Sequence, residues 1–434
     1  MAGYYMTDDA LAYLRREFRS ARGKFDLYYP FIEQGWRLVS NNGFLSMIVP
    51  NKLFHTKAAS HLRSLLSEGK WIRRIVDFGD EKIFAEATNY SCIVVLEKKP
   101  GPNPRYVRAE AGLRIVEEFD VPWIVLSSRT WHFEDQRTRD LFRKLEKAGE
   151  PLELLARRFG SGVQTGADRL LTVTCHAARA QHLEATLLRP VLRGRDVRRY
   201  RTGEDPKLLI FPYRVREDEF VILPETELRQ YENIHSLLSQ NREKLGQRIW
   251  FGKGAAELSG AWYGMMYLDS YSSFALPHIV TPSLSNRSNF ALGTGALFAT
   301  GTAGVTSVIP LQDIDEDILY LLGVLNSRLI SFHVTSHSPI FSGGYYKFSS
   351  AYLKRLPIRR INFDGPDDVA RHGKMVALVG RMLDLHKKLA AATIPADKEL
   401  YQRQIEATDQ EIDGLVYELY GLTEEEVAIV EQGR

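Results

Sequence analysis

Phe84 is the first candidate for a functional residue, because it lies at the end of a strongly polar loop. The segment Asp77–Phe84 carries Gly79 and three carboxylates, and the apolar run Tyr90–Leu96 follows it. An aromatic side chain in such surroundings either packs as a lid over the core or offers its flat face to a planar ligand. The sequence alone leaves both interpretations open.

A cluster of arginines is the second candidate. Residues 189–201 contain six arginines and a single aspartate. Guanidinium groups at this density can contact phosphates, and a guanidinium fork can also bind guanine bidentately in a major groove. The alternative is a solvated turn or a set of arginine–carboxylate pairs. The cluster members predicted to bind nucleic acid are Arg189, Arg193, Arg195, Arg198 and Arg199.

Further polar and aromatic groups occur in three Gly-rich or Ser-rich segments. Residues 341–348 combine two glycines with Tyr345, Tyr346 and Lys347, a composition that allows close backbone approach and base stacking. A plain hairpin turn is the alternative. Thr165, within 160–166, and Arg287, within 283–287, add side chains of the kind that contact bases and phosphates.

The chain lacks the motifs of several enzyme classes. There is no G-x-G-x-x-G after a strand, no P-loop, no H-E-x-x-H and no paired C-x-x-C. Asp80-Glu81-Lys82 has the D-x-K spacing of a metal-dependent nuclease, but no well-placed upstream acid accompanies it. We therefore predict no metal site.

Composition is that of an ordinary globular protein with more than one core. The 434 residues include 57 Lys plus Arg and 54 Asp plus Glu, a net charge of +3, so a nucleic-acid partner has to be inferred from local clusters. Two cysteines cannot form a disulfide framework, which favours a reducing cytoplasm. No apolar run approaches the length of a membrane span, so we expect no membrane association.

The elements that must position these residues alternate between helices and strands in the first part of the chain, which predicts an α/β sheet with its working edge at the strand C-termini. We expect a further strand at Trp123–Leu126 and a helix at Asp135–Leu145. The predicted helices are Thr7–Arg19, Lys24–Val39 and Ala58–Leu66, and the predicted strands are Phe44–Val49, Trp71–Phe78 and Tyr90–Leu96.

The part of the chain after about residue 151 is predicted to form an α+β region with many loops, followed by C-terminal helices. Helical spacing predicts one helix at Leu319–Ser331, and two long amphipathic segments predict an antiparallel hairpin, Lys374–Ala392 and Asp397–Tyr420. Short strands are predicted at Leu170–Val173, Leu208–Pro212, His278–Pro282 and Val305–Pro310.

Taken in order, a series of short segments resembles the TaqI-like adenine-N6 DNA methyltransferases, including those of Type IIG restriction-modification enzymes. Each segment is weak alone, but their order is specific. The segments are Lys24–Glu33, Gly43–Lys52, Ile83–Ser91, Gly162–Gly166, Leu192–Asp196, Leu325–Arg328, Gly343–Tyr346 and Leu356–Ile358.

The resemblance implies a fold and a domain order. It implies part of a Rossmann-like methyltransferase sheet at residues 1–110, a connector at 111–150, an α+β DNA target-recognition domain at 151–363 and a helical hairpin at 364–434. Phe84 would stack on a flipped-out adenine, and the partner would be double-stranded DNA.

The chain departs from the family at two motifs. The Gly-rich loop that cradles S-adenosylmethionine and the N-P-P-[YF] motif that holds the adenine amine are both absent. We therefore expect S-adenosylmethionine in the complete enzyme but not on this chain alone, and a further chain or upstream segment that supplies the missing half. The alternative is a non-catalytic specificity or interaction subunit of a restriction or phage-defence complex.

Overall fold

The computed structural model describes the chain as two compact units. The first comprises residues up to 142 together with 339–344, and the second comprises residues 143–338 and those from 345 onward. The described residues are 6–81, 83–84, 90–110, 112–160, 162–203, 207–293, 295–301, 304–341 and 343–433.

The first unit is built on one five-stranded sheet. Its helices are α1 (Asp8–Glu17), α2 (Tyr28–Leu38), α3 (Ser60–Glu68) and α4 (Gln136–Ala148), which runs on into the second unit. Its strands are β1 (Phe44–Pro50), β2 (Ile72–Asp77), β3 (Ser91–Glu97), β4 (Arg105–Ala109) and β5 (Ile115–Asp120).

The strand order is β1-β3-β2-β4-β5. β3 lies between β1 and β2 and is antiparallel to both, whereas β2 and β4 are parallel. The C-terminal ends of β1 and β2 therefore lie at the same edge of the sheet as the start of β3, and the loop that carries Phe84 connects β2 to β3 there. Apolar side chains of α2, α3 and the strands form the core of this unit.

Three predicted helices and three predicted strands of the first unit are confirmed by these elements, as is the helix predicted at Asp135–Leu145. The strand predicted at Trp123–Leu126 is wrong. Trp123–Val125 forms a 3-10 helix after Pro122, and the Trp123 indole N–H donates to the Pro102 carbonyl at 2.9 Å instead of joining a sheet.

Beyond α4 the strands are mostly short. They are β6 (Glu150–Pro151), β7 (Ala156–Gly160), β8 (Val163–Gln164), β9 (Thr172–Val173), β10 (Leu188–Leu192), β11 (Val197–Arg198), β12 (Arg201–Thr202), β13 (Lys207–Ile210), β14 (Tyr213–Arg216), β15 (Glu219–Ile222), β16 (Ile249–Trp250), β17 (Lys253–Gly254), β18 (Tyr267–Leu268), β19 (Ile279–Pro282), β20 (Leu284–Ser285), β21 (Ala291–Leu292), β22 (Leu297–Phe298), β23 (Val305–Pro310), β24 (Ile340–Phe341), β25 (Tyr345–Lys347) and β26 (Pro357–Ile358).

Helices separate these strands and then close the chain. They are α5 (Leu152–Leu155), α6 (Asp168–Leu171), α7 (Cys175–Ala180), α8 (Glu225–Leu228), α9 (Glu232–Gln240), α10 (Arg242–Gly246), α11 (Ala255–Ser259), α12 (Ser272–Ala275), α13 (Ile318–Asn326), α14 (Arg328–His337), α15 (Ser350–Leu353), α16 (Pro366–Ala391), α17 (Pro395–Leu419) and α18 (Glu424–Gln432).

Two four-stranded sheets organise the second unit, with orders β22-β10-β13-β9 and β21-β19-β23-β7. Side chains from both sheets share one apolar core. The helices α16 and α17 pack on each other across a short connection, as an antiparallel hairpin requires, and Arg381 pairs with Glu411 between them. The chain is thus a mixed α/β protein with a C-terminal helical region.

Two sequence predictions in this unit need correction. The helix predicted at Leu319–Ser331 is interrupted at Ser327, whose hydroxyl accepts the Ile330 N–H at 3.3 Å and so begins a second helix, α14. The strand predicted at Leu170–Val173 exists only as Thr172–Val173, because Asp168–Leu171 forms a helical turn.

Within the part of the chain that the structure describes, no single helix is long and apolar enough to cross a bilayer. Helices α13 and α14 are long and apolar enough only when taken together, and they are bent by 61° relative to each other.

Candidate nucleic-acid interface

The edge of the first unit's sheet is organised around the buried carboxylate of Asp77, the last residue of β2. Asp77 accepts hydrogen bonds from the Gly79 N–H at 2.9 Å, the Tyr106 hydroxyl at 3.1 Å and the Asn51 amide at 3.3 Å. A carboxylate at a strand end satisfied in this way fixes the start of the following loop.

Asn51 connects that loop to β1. Its side-chain amide also donates to the Gly79 carbonyl at 2.9 Å, and its backbone N–H donates to the Tyr90 carbonyl at 2.9 Å. Asn51 therefore holds both ends of the loop between β2 and β3.

Phe84 lies within this loop and is half exposed, at 50%. Its neighbour Ile83 packs against a small cluster that includes Phe78 and Val107. The structure thus places a half-exposed aromatic side chain on an anchored loop, and the stacking role of Phe84 stays a prediction. Residues 82 and 85–89 of the predicted motif lie outside the described residues.

In the second unit, an open cleft of about 850 Å³ gathers side chains from distant segments. Exposed Tyr345 and Asn286 line it, with Asn289 and Thr300 adding further hydrogen-bonding groups and Asp168 a carboxylate. Four arginines line the same cleft: Arg193, Arg195, Arg198 and Arg287.

These four arginines differ in how they are held. Arg193 forms a bidentate pair with Asp196, at 2.8 Å from Nε and 2.9 Å from Nη2. Burial raises the pKa of Asp196, but the hydrogen bonds from Arg193 more than offset it, so this pKa lies below its ordinary value. The exposed side chains of Arg195, Arg198 and Arg287 remain as the cationic groups directed to solvent.

Residues 283–289 are held in place by a short sheet and by the Ser285 hydroxyl. β20 pairs with β25, so that Ser285 lies opposite Tyr346, next to Tyr345. The Ser285 hydroxyl donates to the Arg287 carbonyl at 2.6 Å and accepts from the Asn289 amide at 2.7 Å. This packing brings Arg287 and Tyr345 to the cleft that the arginine cluster lines.

Other predicted site residues lie elsewhere. Arg189 is exposed on β10 and donates to the Thr186 carbonyl at 2.9 Å, whereas Arg199 faces the helical region. Thr165 is buried and bonds to Asp168.

Tyr346 is buried at 8% exposure. The backbone N–H of Lys347 donates to the Ser338 hydroxyl at 2.8 Å. None of these five residues lines the cleft, so they do not join Arg195 and Arg287 in one surface.

Sequence reasoning missed the residues that hold the predicted ones in place. Asn51, Asp77, Ser285 and Asn289 shape the two sites through backbone hydrogen bonds. Their positions directly after β1, at the end of β2 and beside β20 are the signal that could have found them, because polar residues at strand ends commonly organise loops.

Two family models match the chain. One, described as Eco57I restriction-modification methylase, matches residues 4–84, and the other, described as TaqI-like C-terminal specificity domain, matches residues 189–358. The resemblance to restriction-modification methyltransferases that the sequence predicts is thus confirmed over these two regions. The methylase match ends at Phe84, and the specificity-domain match contains every cleft residue except Asp168.

Curated relatives match over almost the whole chain. The Type II restriction enzyme and methyltransferase RM.Eco57I of Escherichia coli is 22% identical over 96% of this chain and 44% of its own length. The Type II methyltransferase M.PaeR7I of Pseudomonas aeruginosa is 23% identical over 96% of this chain and 68% of its own length. The chain thus spans less than half of one relative and about two thirds of the other.

A solved restriction-modification enzyme has a similar fold. The Type IIL restriction-modification enzyme MmeI, solved in complex with DNA, superimposes with a TM-score of 0.64 at 12% identity. The superposition covers 98% of this chain and 54% of MmeI.

Proposed function

We propose that this chain is the DNA-recognition and base-stacking portion of an adenine-N6 DNA methyltransferase of a restriction-modification system. The observation that carries the proposal is the cleft in the second unit. Three exposed arginines converge there with amide and hydroxyl side chains and with Tyr345, inside the segment matched to the specificity domain. Cationic groups position a phosphate backbone, and amides and guanidinium forks distinguish base edges.

In this proposal Phe84 is the residue that stacks on the target adenine. Its half-exposed ring lies on a loop that Asn51 and Asp77 anchor at the end of two strands. Stacking on an aromatic ring is worth roughly 1–3 kcal/mol per base, comparable to the cost of removing a base from the helix.

The residues described at this edge do not fit S-adenosylmethionine. Asp77, which could otherwise accept a ribose hydroxyl, is already bonded to Gly79, Tyr106 and Asn51. The space next to Gly79 is filled by the Arg108 guanidinium, 1.5 Å from where a side-chain carbon would lie. The binding site for the methyl donor and the N-P-P-[YF] motif would therefore be supplied by a further segment or chain.

The first unit has a surface suited to such a segment. Within the described residues β1 pairs on one side only, with β3. Phe44 is 63% exposed on β1, and Phe31 and Leu38 are 64% and 76% exposed on α2. An edge strand flanked by exposed apolar side chains is a surface that another sheet layer can cover.

A reconstitution experiment tests the proposal. The full chain is mixed with a methyltransferase fragment that carries the Gly-rich loop and N-P-P-[YF], duplex DNA and S-adenosylmethionine with a labelled methyl group. We expect labelled N6-methyladenine only when both proteins are present. Tight assembly of the two proteins on DNA without any methylation would instead support a non-catalytic specificity subunit.

A further inference from the structure

A hairpin in the second unit exposes large apolar side chains at and beside its tip. β16 and β17 pair with Trp250 opposite Lys253, and Phe251 and Gly252 form the turn between them. Phe251 is 87% exposed and Ile249 is 73% exposed. Two large apolar side chains therefore extend into solvent from one short hairpin.

The turn makes the choice of phenylalanine costly. Phe251 and Gly252 have φ angles of +48° and +81°, so both central residues are in the left-handed region, as in a type I′ turn. Such turns favour Asn-Gly, whereas a bulky side chain at positive φ stores strain of about 1 kcal/mol or more. The Phe251 ring contacts the Trp250 ring, with 4.7 Å between the two centroids, yet Phe251 stays 87% exposed. Backbone strain of this kind is often found at functional sites.

The base of the hairpin is rigidly fixed. Arg248, which precedes it, is buried at 7% exposure and donates to the Leu245 carbonyl at 2.7 Å, the Trp262 carbonyl at 2.8 Å and the Thr165 carbonyl. A buried guanidinium that binds three carbonyls from separate segments holds the hairpin in a set orientation.

A continuous path of contacts connects this hairpin to the cleft. The Trp250 ring lies 5.7 Å from the Tyr267 ring, and Tyr267 pairs with Gln164 on β8. The neighbouring Val163 carbonyl accepts the backbone N–H of Thr300, a cleft residue, at 2.9 Å. The base of the hairpin is thus connected to cleft residue Thr300 through β18 and β8.

We propose that Phe251, supported by Ile249, is an apolar wedge that inserts between base pairs of duplex DNA held by the arginines of the cleft. Proteins that bend DNA commonly insert such side chains and recover the cost of unstacking through additional contacts. Lys253, on the adjoining strand, is 59% exposed and pairs with Glu257 at 3.2 Å. This inference rests on the proposed function, because it requires DNA in the cleft.

The test compares the full wild-type chain with Phe251→Asn and Phe251→Trp. Affinity for a short fluorescent duplex is measured over a series of salt concentrations, and thermal melting of each protein is recorded. Asparagine suits the turn, so Phe251→Asn raises the melting temperature, yet it lowers DNA affinity by about five-fold or more. The salt dependence of binding stays parallel to wild type because no phosphate contact is lost. Phe251→Trp retains wild-type affinity.

Each other outcome contradicts the wedge, and one of them also contradicts the proposed function. Equal affinity of wild type and Phe251→Asn contradicts the wedge and leaves DNA binding by the cleft intact, as expected if the tip contacts another protein. A loss of affinity with a changed salt slope also contradicts the wedge. No DNA binding by the wild-type chain contradicts both the wedge and the proposed function.

Discussion

Arg199 and Asp409, separated by 210 positions in sequence, form an ion pair between the arginine cluster and helix α17. Arg199 also donates to the Asn326 carbonyl at 2.6 Å, and its backbone N–H donates to the Asn289 side chain at 3.2 Å. Burial raises the pKa of Asp409, and Arg199 only partly offsets this effect. Arg199 therefore connects the arginine cluster both to the helical region and to Asn289, a residue that lines the cleft.

Replacing Arg199 by glutamine leaves the Asp409 carboxylate mostly buried without its partner. We expect the free energy of unfolding to fall by about 3 kcal/mol, measured by urea denaturation. The salt slope of DNA binding should stay unchanged, because Arg199 does not line the cleft. The control is Arg403→Gln, an exposed arginine of α17. A reduced salt slope for Arg199→Gln would show that Arg199 contacts phosphate instead.

Replacing Phe84 by alanine separates stacking from stability. Because the Phe84 side chain is half exposed, the free energy of unfolding should change by less than about 0.5 kcal/mol. The methylation rate of the reconstituted enzyme should fall roughly ten-fold, as the loss of base stacking predicts. Phe363→Ala, at a residue 39% exposed, serves as the matched control. An unchanged methylation rate would refute the stacking role.

Replacing Asn51 by alanine should loosen the loop that carries Phe84. The variant loses the hydrogen bonds to Asp77 and to the Gly79 carbonyl, which predicts a destabilisation of about 1–2 kcal/mol. Amide exchange in residues 78–81 should accelerate relative to Asn41→Ala, a change at an exposed position before β1. Equal exchange in the two variants would show that Asn51 does not anchor the loop.

His55 predicts a pH dependence of stability. Burial lowers its pKa to about 4, with Asp77 raising it and Arg63 lowering it further. The unfolded chain takes up this proton near pH 6.5, so stability present at neutral pH declines as the pH falls from about 6.5 to about 4. Between about pH 7 and pH 5 the loss attributed to His55 is about 2 kcal/mol.

The measurement compares urea denaturation of wild type and His55→Gln at both pH values. The glutamine variant should lose less stability on acidification than wild type by that amount. The same pH dependence in both proteins would show that the pKa of His55 is equal in the folded and unfolded states.

The sequence predicted the first unit well because its signals are local. Continuous β-branched runs and helical spacing identified β1, β2 and β3 with the helices between them. The sequence left the exposure of Phe84 open, and the structure shows that the side chain is half exposed. Trp123–Leu126 failed because four apolar residues do not distinguish a strand from a 3-10 turn.

The arginine cluster shows what sequence could not provide. Both interpretations of the cluster hold for different members, because Arg193 and Arg199 pair with carboxylates whereas Arg195 and Arg198 are exposed in the cleft. The Asp409 partner lies far along the chain, so no local pattern indicates it. Phe251 likewise became visible only through its backbone conformation and its exposure.

DNA binding as a function of salt concentration tests the central claim most directly. The full chain and the variant with Arg195, Arg198 and Arg287 all replaced by glutamine are titrated with duplex DNA. Our account predicts that wild type binds and that the variant loses up to about 0.9 in the slope of log affinity against log salt for each phosphate contact removed. Absence of binding by wild type, or identical slopes for the two proteins, would contradict it.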